Sequence, residues 1–402
     1  QAMSAWLQAA QDGDDEVVQR LLDAHANPNE AKTNGLTALH LAAQNGHLHV
    51  VGRLLDARVN VDQSNGQGKS TALIKASVRG HIEVVQRLLE AQASVDHVND
   101  VGGTALTAAS QNGFVEVVRR LLEAGATVDH PTVNRALTCA SLNGHLGVVE
   151  LLLEGRATVD HENHRGLTAL FAASQNGYDQ VVRRLLEARA TVDHPTAKRP
   201  LVVGCGNGHL EVVEALLDAR ASPLQKPDGV SPLRVACHHG HERVVQRLLE
   251  CQANVDEAKE GMTALHLAAQ VGHTEVVQLL IDGRANLDQQ DAIGDTALRL
   301  ASSCDHAETV QRLLNGRASV NCVNFDVFCS LPRTADTCGR GPLPCWLPLS
   351  WGMRRWRSDC WTAALTSTIK TTRALPRCTS PAREGTWRWC GCCSTAMQAS
   401  IY

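Results

Sequence analysis

A Val-Val pair begins at residues 17, 50, 84, 117, 148, 181, 212, 244 and 276, and Thr309-Val310 takes the next slot, so one step recurs every 31 to 34 residues. Ten copies of a single unit therefore fill residues 1 to about 325. Self-similarity at this period marks a repeat array, in which each unit touches only its neighbours. The usual expectation of one domain per about 150 residues does not apply to such a chain.

Within one unit, Leu-Leu follows the Val-Val pair at three and four positions, the spacing of one helix face. TALHLAAQNG (Thr37 to Gly46) reads as a first helix lined by small Ala residues and stopped by Asn-Gly, and HLHVVGRLLDA (His47 to Ala57) as a second. The stretch from Val61 to about Ser70, rich in Asp, Asn and Gly, leads on as an extended turn. Neither helix can bury its apolar face alone, so stability must come from stacking.

TALHLAAQNGHLHVVGRLLDARVNVD and its nine relatives resemble the ankyrin repeat, whose period of about 33 and TPLHxA motif they match. The resemblance implies an all-α repeat solenoid, a curved stack of helix pairs with projecting β-hairpin fingers, acting as a protein-binding surface. It implies no common chemistry.

Composition excludes other classes. With 38 basic against 42 acidic residues the chain has no polyelectrolyte character, so no nucleic-acid partner is expected. Apolar runs such as Leu151-Leu152-Leu153 fall far short of the roughly 18 residues of a membrane span. No leader is visible, although the chain opens on Gln1 rather than Met. The six Cys before residue 325 are scattered singly, which suits reduced thiols in a cytoplasmic protein, expected to be a monomer.

Three departures within the array set further expectations. Asn134-Arg135-Ala136-Leu137 and Lys198-Arg199-Pro200-Leu201 replace the Gly-x-Thr pattern after a His-Pro-Thr loop, so those fingers should be shorter and more basic, as tolerated loop variation. Eight residues after each Val-Val, where the chain leaves the second helix left-handed, Gly occurs only at Gly125; His25, Gln92, Gln252 and six Arg (Arg58, Arg156, Arg189, Arg220, Arg284, Arg317) stand elsewhere. Each should cost about 1 kcal/mol. Finally, His47, His81, His145, His209, His241 and His273 all follow a helix-ending Gly, which makes them a ladder rather than a catalytic cluster.

Cys237, His238, His239 and His241 are the densest metal candidate, but Cys237 fills a small core slot like Ala43, Ala109 and Ala269 and should point away from the histidines, so no metal is expected. There is no GxxxxGK(S/T) loop, GxSxG elbow or HExxH helix. Acid and amide residues in the turns read as caps and turn formers. Neither catalysis nor a cofactor is expected.

By resemblance, a partner protein should be met by the finger tips and the exposed concave side of the first helices: Gln44, Asn45, Arg79, Gln111, Asn112, Asn143, Gln175, Asn176, Asn207, His238, His239 and Gln270. A second function class is a targeting or regulatory module of a larger enzyme or channel.

From Asp326 to Tyr402 the composition breaks, with six of the seven Trp, eight of the fourteen Cys and no His. A metal module, an irregular basic tail and out-of-frame coding sequence compete. Cys390 and Cys393 form a lone CxxC, weak for zinc without a second pair. Joining the last base of each codon to the first two of the next, Asp359-Cys360-Trp361-Thr362 must give Leu-Leu-Asp, Trp351-Gly352 must give Gly, Trp389-Cys390 Val and Cys392-Cys393 Leu, whatever codons were used. With permitted codons, residues 342 to 370 become SALLAASQLGHEEVAQRLLDGRANVDHQD. This reading makes residues 326–402 two further repeats out of frame, with about 13 extra residues before them, and assigns no function to their Cys, Trp or Arg.

Overall fold

The computed structural model describes residues 5–66, 68–129, 136–163, 165–193, 199–224 and 230–320. The expectations for Arg135, Lys198 and residues 326–402 lie outside them. The described residues hold ten helix pairs. These are α1 (Ala5–Asp12) with α2 (Asp15–Asp23), α3 (Ala38–Asn45) with α4 (Leu48–Asp56), α5 (Ala72–Arg79) with α6 (Ile82–Glu90), and α7 (Ala105–Asn112) with α8 (Val115–Glu123). Then come α9 (Ala136–Leu142) with α10 (Leu146–Glu154), α11 (Ala169–Asn176) with α12 (Asp179–Glu187), and α13 (Pro200–Asn207) with α14 (Leu210–Asp218). The last three are α15 (Pro232–His239) with α16 (Glu242–Glu250), α17 (Ala264–Val271) with α18 (Thr274–Asp282), and α19 (Ala297–Ser303) with α20 (Ala307–Asn315).

Local chemistry sets these boundaries. Thr71, Thr104, Thr168, Thr263 and Thr296 each accept the N3 amide at the start of a first helix, satisfying one of the donors a helix leaves open there. Pro200 and Pro232 stand at the first helical position, where a missing N–H costs nothing. Second helices end in paired reverse bonds, as in Ala26 N to Leu21 O at 3.0 Å and His25 N to Leu22 O at 2.9 Å, which need a left-handed residue. That residue has φ between 55° and 84° in all ten repeats, including His25, all six Arg and Gly125.

Stacking follows from the Val-Val pair. The second Val is fully buried at Val51, Val85, Val118, Val149, Val182, Val213, Val245 and Val277, yet half-buried at Val310 in the last repeat. The first Val is buried in repeats two to nine and half-buried at Val17 in the first. One valine of each pair thus faces backward and the other forward. Leu54 and its counterparts in the following repeats, through Leu313, are completely enclosed, where truncation to Ala typically costs 2–5 kcal/mol.

First helices pack on one another more closely than second helices do, because Ala, Ser, Gly and Cys fill their touching slots. The array therefore bends with the first helices inside. Cys237 lies fully buried in register with Ala43 and Ala269, as expected; in the α7 repeat, however, that register belongs to Ser110, and Ala109 precedes it by one residue. Among the described residues the fingers are turns rather than long hairpin ladders: isolated antiparallel bridges join Ala31 to Thr37 and Lys259 to Met262. Neighbouring tips bond through backbone, Gly66 N to Asn34 O at 2.8 Å and Ala292 N to Glu260 O at 3.1 Å.

Candidate partner-binding surface

Two side-chain ladders run between repeats and decide which residues remain free. In the first, Nε2–H of His47, His81, His145, His209, His241, His273 and His306 donates to a backbone carbonyl near the end of the preceding first helix, at 2.9–3.2 Å. Each ring also lies over the left-handed glycine of that preceding repeat, where Phe114 and Tyr178 substitute for His on Gly80 and Gly144. In the second, the Asp of each Val-Asp finger base, or of Leu287-Asp288, accepts a backbone amide one repeat on: Asp62 from Ser94, Asp96 from Thr127, Asp129 from Thr158, Asp160 from Thr191, Asp193 from Ser222, Asp256 from Asn286 and Asp288 from Ser319, at 2.6–3.1 Å.

The turn residues are also employed internally. Asn99 Oδ1 accepts from Val101 and Gly103, Asn163 Oδ1 from Arg165 and Leu167, and Asp291 Oδ1 from Ile293 and Asp295. Arg199 is no exposed finger cation: only 5 % accessible, it donates to the carbonyls of Val230, Ser222 and Leu224 at 3.0–3.2 Å and ties its finger to the next. His40 and His266 form a pattern that the sequence reading missed. Each accepts the Thr backbone N–H and hydroxyl of its own helix start on Nδ1, and donates Nε2–H to Ser70 or Asp295 of the following finger. Burial holds both below the ordinary histidine pKa.

Among the twelve expected contact residues, the asparagines are partly occupied. Asn45, Asn143, Asn176 and Asn207 reach back with Nδ2 to the carbonyls of Gln11, Gln111, Leu142 and Gln175 in the preceding repeat, and Asn112 bonds Ala108 in its own helix. His239 is exposed, T-stacked with His238 at 5.1 Å between ring centroids and parallel to His241 at 6.0 Å. His238 is half-buried, and burial lowers its pKa. The remaining five differ: the side chains of Gln44, Arg79, Gln111, Gln175 and Gln270 carry no hydrogen bond or ion pair among the described residues. The expected row also omitted apolar members. Val78 and Leu142, in register with Gln44 and Gln111, are 40 % and 39 % exposed, and Val271 beside Gln270 is 40 % exposed.

The buried thiols offer no reactive nucleophile. Burial pushes Cys139 up to about 11 and raises Cys205 and Cys237 further. A depression on the outer helices is lined by Leu48, His49 and Gly52, and its cations are already paired, Arg53 with Asp15 and Arg87 with Asp56. Among the described residues no helix is long and apolar enough to cross a membrane.

A family model for ankyrin repeats in three copies matches residues 6–99, 91–163, 137–227, 205–291 and 233–326. No curated protein matches the chain in a sequence search. The overlapping matches follow the same ten helix pairs from end to end, and proteins of this family are in general protein-interaction modules. The chain belongs to the ankyrin repeat family.

Proposed function

We propose that this chain is a protein-interaction scaffold, holding one partner protein along the inner helices and finger tips, in the cytoplasm and as a monomer. The observation that carries the reading is the row of inner amides left without internal partners. Gln44, Gln111, Gln175 and Gln270 stand in repeats two, four, six and nine, interleaved with exposed Val78, Leu142 and Val271. Amides beside aliphatic side chains suit a surface that is polar at its rim and partly apolar inside. A stable interface buries roughly 1,200–2,000 Å², so the partner must span several repeats.

Site-specific photocrosslinking tests the reading. A crosslinker at Gln111 or Gln175 in cells is expected to trap the same discrete protein, whereas one at Gln86 on the outer helix α6 traps none of it. Equal capture from both faces would contradict the assignment.

A further inference from the structure

The last described repeat presents a half-made junction. Val310, the forward-facing valine of its pair, is half-buried where its nine counterparts, Val18 included, are fully enclosed, and Ser302 is half-buried where Ser77, Ser110, Ser141 and Ser174 in the same register are enclosed. From this face, and from the second reading frame of the DNA that writes residues 342–370, we infer that α19 and α20 are the seat of an eleventh ankyrin repeat encoded in that frame.

The match is at the positions the structure shows to be junction positions. In the second-frame string SALLAASQLGHEEVAQRLLDGRANVD, Ser holds the helix-start slot of Thr37, and Ala-Ser the two small buried slots of Ala42 and Ala43. Gly then holds the left-handed slot of Gly46, and His the ladder slot of His47. Farther on, Val precedes Leu-Leu by four residues, Arg falls eight residues after that Val as Arg58 does, and Val-Asp supplies the second ladder. The Gly and the Leu-Leu-Asp are forced by the code at Trp351-Gly352 and Asp359-Cys360-Trp361-Thr362, so their agreement with the register owes nothing to codon choice. The Ser, Ala-Ser, His, Val and Arg of the string are permitted by the code at their slots rather than forced.

One junction differs. Asp305, with φ 65°, replaces the glycine on which every other ladder ring lies, so the incoming imidazole meets a carboxylate instead of a bare Cα. The backward-facing Val and the small Ala-Ser pair of the incoming repeat then close over Val310 and Ser302. About 13 codons more than one repeat step, and a frame offset, separate this repeat from Val310, so the inference places an interruption of the coding sequence between the two.

Two measurements test the inference. Sequencing of spliced transcripts across the codons for residues 315–350 is expected to show a form lacking the interruption and joined in the second frame; transcripts in the written frame alone overturn it. Amide hydrogen exchange is then compared between the full chain as written and the full chain with the frame restored. Restoration is expected to slow exchange over α19 and α20 at least about tenfold, and Val310→Asp to abolish that gain while Val17→Asp, at the opposite end, leaves it. Unchanged exchange on restoration, or a gain indifferent to Val310→Asp, overturns it.

Discussion

The imidazole of His81 lies directly over the α-carbon of Gly46: a β-carbon added to that glycine would stand 2.7 Å from Nδ1, while Nε2–H donates to Gln44 O at 3.0 Å. One glycine therefore serves two demands, a φ of 78° and the room for the next repeat's ring. Gly46→Ala is expected to cost about 2 kcal/mol, roughly half from the left-handed backbone and half from the ring contact. His81→Ala in that background should relieve the contact, making the two substitutions less than additive in urea unfolding. Strict additivity would contradict the shared contact.

Gly125 isolates the backbone part. Its φ is 84°, but a β-carbon there would meet nothing within 4 Å. Gly125→Arg is expected to destabilise by about 1 kcal/mol, and Arg58→Gly or Arg189→Gly to stabilise by about the same amount, since all three sites share the left-handed conformation. Unfolding midpoints that do not move in opposite directions would refute this.

The buried hydroxyls make a separate prediction. Ser77, Ser110, Ser141 and Ser174 are fully enclosed with Oγ unpartnered, in the register where Ala43 and Ala269 sit. Replacing each by Ala is expected to stabilise by about 1 kcal/mol, because an unsatisfied buried polar group costs about 1–3 kcal/mol. A loss of stability would show that the hydroxyls are satisfied in solution.

Acid sensitivity should come in part from His40 and His266. Both have a folded pKa lowered by burial from an unfolded value of about 6.5, so protonation favours the unfolded chain. Their stability contribution is complete above pH ~6.5 and is lost as the pH falls through and below it. His40→Thr with His266→Thr borrows the Thr107 arrangement, in which Oγ1 accepts the Thr104 amide at 2.7 Å. The double variant should lose less stability than the parent between pH 7.5 and 5.5 in urea titrations; an equal loss would place the sensitivity elsewhere.

Much of this was legible before the structure, for one physical reason: repetition turns each helix end into ten aligned observations. The left-handed residue eight positions after each Val-Val was readable because Schellman geometry repeats with the helix end, and all ten positions carry positive φ. What spacing does not reveal is where a side chain spends its hydrogen bonds. Asn45, Asn143, Asn176 and Asn207 look like surface amides in sequence, but each reaches a carbonyl 32 to 34 residues upstream. Arg199 likewise reads as a finger cation until folding places it beneath the next finger, beside three carbonyls. Val78 and Leu142 escaped notice because they occupy a register that is otherwise mostly polar.

The central claim is that binding resides on the inner amide row. Its most direct test is the affinity of the photocrosslinked partner for the full chain carrying Gln44→Ala, Gln111→Ala, Gln175→Ala and Gln270→Ala together, measured by titration calorimetry beside an outer-face control of Gln86→Ala, Gln246→Ala and Gln278→Ala. The account predicts at least about tenfold weaker binding for the inner variant with an unchanged melting temperature, and no change for the control. Undiminished binding by the inner variant, with loss in the outer one, would contradict it.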